Sequence, residues 1–148
     1  MAKFTFRLQS VLNIKIRLED QQRNVFSQAK RRLEEEEEKL VMLNGRLSFY
    51  EEEGRKQREN ALVVRDILSN EEAIYRVKEY IEDQKATIRL YEQKLEEERD
   101  KLVEMIRERK TYEKLREKAF EEYLEEEKHA EGVSNDEHNS YVYGVKEV

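Results

Sequence analysis

"IYRVKEYIEDQKATIRLYEQKLEEERDKLVEMIRERKTYEKLREKAFEEY", residues 74–123, decides the fold. Ile74, Val77, Ile81, Gln84, Ile88, Tyr91, Leu95, Glu98, Leu102, Met105, Arg109, Tyr112, Arg116, Ala119 and Tyr123 follow one another at alternating steps of three and four. That is the seam of a coiled-coil helix. Gln84, Glu98, Arg109 and Arg116 interrupt an otherwise largely apolar row. Polar seam positions cost stability but can fix register.

Working outward, Ser69-Asn70-Glu71-Glu72 reads as a capping box, which places the start of this helix near residue 70. Gly132 and the Ser-Asn-Asp run after it read as a stop, so residues 131–148 are expected to form a flexible tail. Upstream, Phe26, Ala29, Leu33, Glu36, Leu40, Leu43, Leu47 and Tyr50 repeat the three–four spacing. Leu8, Val11, Ile14 and Leu18 form a further stripe, and joining it to the first requires a stutter near Gln22. Residues 54–69 break the pattern with Ala61-Leu62-Val63-Val64 and Ile67-Leu68.

The expected architecture is all-α: a long two-helix antiparallel coiled-coil hairpin with a short helical or turn segment at the tip. The arms are 4–58 and 70–130, the tip 59–69. A turn centred near residue 65 sets residue 12 against about 118 and residue 30 against about 100. A hairpin closes its seam within one chain, so the free protein is expected to be a monomer.

Composition agrees. Of 148 residues, 43% are charged, Pro is absent and only four Gly occur, which favours long helices over a thick globular core. Cys is absent, so no disulfide or thiolate site exists. No apolar run is long enough to span a bilayer, and basic residues interrupt the start where a signal peptide would be apolar. The cytoplasm is the expected compartment.

Net charge is −6 but uneven. Residues 1–32 hold eight basic and two acidic residues, and Arg99–Lys118 holds eight basic and five acidic. In the hairpin these stretches lie side by side and form a basic collar at the open end. The pI of about 5.3 speaks against nucleic acid. No phosphate loop, paired acid/base site or metal-ligand spacing is present. His129 and His138 stand apart from any cysteine. No catalytic, cofactor or metal residue is expected. Phe49, Tyr75, Tyr80, Val103, Ile106 and Phe120 fall outside the seam, which points to a partner.

Three segments carry a resemblance: "FTFRLQSVLNIKIRLEDQQR" at 4–23, "EEKLVMLNGRLSFYEEE" at 37–53, and "RERKTYEKLREKAFEEYLEEE" at 107–127. Together they resemble the FliJ family, small coiled-coil proteins of the bacterial flagellar type III export apparatus. The resemblance implies a non-enzymatic stalk that docks in the ring of the flagellar export ATPase, promotes its assembly and activity, and links it to the export-gate membrane protein. Export chaperones are further implied partners. The implied location is the cytoplasmic face of the inner membrane at the flagellar base.

Carried onto this chain, ATPase docking falls to Arg7, Lys15, Arg17, Arg109, Lys110, Lys114, Arg116 and Lys118. The export-gate contact falls to Leu43, Tyr50, Val77, Ile81 and Ile88. The competing readings are a generic scaffolding coiled coil and a holdase-type chaperone gripping clients at its tip.

Overall fold

The computed structural model describes residues 3–60 and 63–147, with side chains described through residue 139. Two helices account for nearly all of it: α1, Gln9–Glu59, and α2, Val64–Glu147. They pack antiparallel, and no strand occurs among the described residues. The chain forms two compact units, one of Met1–Asp20 with Val103–Val148, the other of Gln21–Leu102.

In the Gln21–Leu102 unit the seam is where the spacing puts it. Leu33, Val77, Ile81 and Ile88 are buried. Phe26, Ala29, Leu40, Leu43, Leu47, Tyr50, Ile74, Tyr91 and Leu95 are half-buried along the same two stripes. The register, however, is displaced from that of a turn at residue 65. Arg99 lies over the ring of Phe26, and Asn70 reaches the backbone of Tyr50. The cause is the position of the turn: α1 persists to Glu59 and α2 begins at Val64 rather than near 70.

The expected capping box therefore lies inside α2, with Ser69 exposed. Asp66 supplies the first-turn acid, and its amide donates to the Val63 carbonyl at 3.0 Å. Asn70 packs instead of capping. It is buried against α1, and its Nδ2 donates to the Tyr50 carbonyl at 3.0 Å. Gly54 makes room for it: a Cβ at Gly54 would lie 2.6 Å from Asn70 Nδ2. Of the tip's apolar patches, Ala61 and Leu62 lie outside the described residues. Val63, Val64 and Leu68 are exposed, and Ile67 is half-buried.

Two glutamine clamps cross this seam. Gln22 Nε2 donates to the carbonyl and to Oε2 of Glu98, at 3.0 and 2.6 Å. Gln84 Nε2 does the same to Glu36, at 2.9 and 2.7 Å. The amide donors, with Lys39 beside Glu36 and Lys101 beside Glu98, hold both carboxyls below the ordinary glutamate value of 4.5. A depressed folded-state pKa gives stability that is present above the unfolded value and is lost as pH falls through the folded one. Circular-dichroism melts from about pH 6 to about pH 3 should therefore show a falling melting temperature, with a shallower slope in a Gln22→Leu/Gln84→Leu double variant. Equal slopes would rule the clamps out as the acid-sensitive element.

In the other unit, Leu8, Leu12, Lys15 and Glu19 face α2, while Ile14 and Leu18 are exposed. The three–four spacing of covered positions continues from Glu19 to Gln22 and Phe26, so α1 contains no stutter. The helix keeps its register because its polar seam residues are paired: Lys15 with Glu108, and Glu19 with Arg109. Of the expected apolar stripe, Leu8 faces α2 and Val11 is half-buried, and only Ile14 and Leu18 are left outside. At the C-terminal end, α2 continues through Gly132 to Glu147, beyond the stop expected at 131. An interior Gly costs about 1 kcal/mol relative to Ala, which an already nucleated helix can absorb.

Candidate interaction surfaces

The open-end unit begins with a non-helical segment, residues 3–8, folded against α2. Phe4 packs edge-on to Phe120, with ring centres 5.1 Å apart, and 5.4 Å from Tyr123. Arg116 lies over the Phe4 ring, and its Nε donates to Gln9 Oε1 at 2.9 Å. The Phe6 carbonyl accepts from the Gln9 amide, starting α1. Aromatic packing thus fixes the end of the first arm beside the second arm's cations.

The eight expected docking cations divide into two groups. Lys15 donates to Glu108 at 2.9 Å, which raises its pKa. Arg109 donates to the buried Glu19 at 2.6 Å and to Glu113 at 2.8 Å, contacts that raise its own pKa. Arg116 is held by Gln9 and Phe4. These three hold the hairpin together. Arg7, Arg17, Lys110, Lys114 and Lys118 are exposed, and none has a salt bridge among the described residues.

The second surface lies in the Gln21–Leu102 unit. Lys39, Met42, Leu43, Arg46, Tyr80, Asp83, Gln84 and Thr87 line an open groove of about 550 Å³. Met42 and Tyr80 stand well out of the seam, as does Phe49 nearby. Leu43 and Tyr50 are half-buried, whereas Val77, Ile81 and Ile88 are buried in the seam. The apolar residues expected to lie outside the seam do so, apart from Ile106, which is half-buried.

Spacing alone did not reveal the Gly54–Asn70 contact or the clamps. A signal for the clamps was present: Gln22 and Glu36, like Gln84 and Glu98, are two heptads apart. The two arms carry it in the same order, Gln before Glu, so antiparallel packing sets each Gln against the other arm's Glu.

Among the described residues no group of His, Asp and Glu is placed to hold a metal, and no helix is long and apolar enough to cross a membrane. What is present is an antiparallel helical hairpin whose exposed features are a cation-rich end and an apolar groove. These are the marks of a coiled-coil interaction protein.

The family model for the flagellar FliJ protein matches residues 4–147, so the chain belongs to the FliJ family. It is a component of flagellar, type III protein export. Its fold is also that of a protein assigned as a YscO homolog from Chlamydia trachomatis. That likeness has a TM-score of 0.72 and 22% identity over 98% of each chain. No curated protein matches the sequence.

Proposed function

We propose that the chain is a non-enzymatic stalk of the export apparatus, whose open end docks in the ring of the export ATPase, promotes its assembly and activity, and connects it to the export gate. The observation that carries this reading is the division of the basic collar. Three cations serve the hairpin itself, while Arg7, Arg17, Lys110, Lys114 and Lys118 face outward around its end. Unpaired cations at one end of a net-acidic chain suit an acidic lumen, where they steer and align without chemistry.

The gate contact fits the groove beside Leu43 and Tyr50, with Met42, Arg46 and Tyr80 on its rim. Val77, Ile81 and Ile88 serve that surface from beneath, by fixing the seam on which it stands. Export chaperones are further partners, and the working location is the cytoplasmic face of the inner membrane at the flagellar base.

The test is titration of the export ATPase with wild-type and charge-reversed chain. Reversing the five outward cations to Glu should leave the fold intact and weaken binding by at least about tenfold at low salt, with the deficit shrinking as salt rises. Reversing Lys15, Arg109 and Arg116 should instead lower the melting temperature. Loss that is equal at all salt concentrations would count against electrostatic docking.

The exposed Val63, Val64 and Leu68 at the tip favour one other reading, a holdase gripping apolar clients. Deleting the tip would then abolish client binding, and the collar would be irrelevant to it.

A further inference from the structure

The seam needs no second chain, but the end of α2 is left without a packing partner. The N-terminal segment shares a groove with α2 that reaches Glu126. Residues 128–139 are exposed on every side. This overhang continues the seam spacing past Tyr123 as Ala130 and Val133, and Val133 keeps 42% of its surface exposed. It is net acidic, with Glu131, Asp136 and Glu137 against Lys128, and Glu125, Glu126 and Glu127 lead into it. Helical surface of this kind gains nothing from tertiary packing, which is where most helical stability in proteins comes from.

The same unit carries the complementary surface. The row Val11, Ile14 and Leu18 runs along α1 at helical spacing beside the seam, with Val11 half-buried. Ile14 and Leu18 are 52% and 39% exposed. Across the hairpin Leu115 is 44% exposed, and it lines one groove with Arg7. Lys118 lies one helical turn beyond Leu115. An apolar row flanked by cations therefore sits on the same unit as an uncovered helix flanked by carboxylates.

We infer that the occupant of this row is the overhang of a second copy of this chain. Two copies would pair reciprocally, each laying residues 128–139 along the other's Val11–Leu18 row. Carrying both halves of the contact on one unit is what an isologous two-fold interface requires. The charges fix the pairing, Glu and Asp of the overhang meeting Arg7 and Lys118. Each contact is small beside the roughly 1,600 Å² of a standard interface, so the dimer is weak and concentration-dependent. If the docking reading holds, on which this consequence alone rests, the dimer also masks docking cations and self-association competes with the ATPase.

Sedimentation velocity on the full chain, from about 5 μM to about 500 μM, reads the equilibrium directly. The expected result is a monomer that becomes a dimer as concentration rises, and less so at high salt. Ile14→Glu/Leu18→Glu, and separately a stop after residue 126, should each raise the dissociation constant by at least about tenfold. Both leave the seam untouched, so helicity and melting serve as folding controls.

Because the chain has no Cys, Leu18→Cys and Val133→Cys chains can be mixed and oxidised. The inference expects a disulfide-linked heterodimer. A monomer at every concentration overturns it, as does a dimer that survives both variants. A collar that binds the ATPase while the chain stays monomeric would overturn the dimer and leave docking standing. A dimer without ATPase binding would do the reverse.

Discussion

Gly54→Leu is expected to destabilise the hairpin by about 1–3 kcal/mol, the range for forcing a larger side chain into filled space. Gly54 is buried, and a single added carbon would already stand 2.6 Å from Asn70 Nδ2. Asn70 cannot retreat freely, because the same nitrogen bonds the Tyr50 carbonyl from a buried position. Moving it takes a buried side-chain amide off its acceptor, which adds to the steric cost. Gly45 is the control, because nothing lies within 4 Å of its added Cβ. Gly45→Ala should stabilise by about 0.5–1 kcal/mol, the usual gain at an exposed helix interior. Urea titrations of both variants decide the matter. Similar behaviour of the two would show that Gly54 is not a close-approach site.

Arg109→Leu is expected to cost about 1–2 kcal/mol, and Glu19→Leu/Arg109→Leu to recover most of it. The single change removes the 2.6 Å guanidinium contact from the Glu19 carboxylate, whose side chain is only 5% exposed. Arg109 keeps 20% of its side-chain surface in water, which holds the figure below that for a fully buried pair. The double change replaces a desolvated pair by two leucines in a seam otherwise built from such residues. A double-mutant cycle on melting temperature reads the difference. A double variant as unstable as the single one would mean that the ion pair is not the cause.

The second arm was legible residue by residue, because its seam from Ile74 to Tyr123 is long and mostly apolar. Only Arg116 of that row is exposed, held outward by Gln9 and Phe4. The first arm misled where apolar residues and the seam part company. Val11, Ile14 and Leu18 look like a core stripe, yet the seam takes Leu12, Lys15 and Glu19 instead. Hydropathy along one strand cannot see that Glu108 and Arg109 stand ready across the interface to satisfy those polar side chains. The tip failed for a related reason. Ser69-Asn70-Glu71-Glu72 has the composition of a cap, but Asn70 has a better partner in the Tyr50 carbonyl. The candidate surface was half legible. The eight cations were visible in the sequence, but the division into structural and outward sets depends on pairings that only the folded register creates.

The two clamps bear on how the chain avoids an error open to every heptad repeat. A slip of one repeat would keep leucines against leucines and change little in a purely apolar seam. Here it would carry Gln22 from Glu98 to Met105 and Gln84 from Glu36 to Leu43, stranding two carboxylates and two amides in one step. Because the two clamps share one spacing, they make or break together. They would act as a proofreading check while the arms zip, rejecting a misaligned hairpin before the rest of its length has closed.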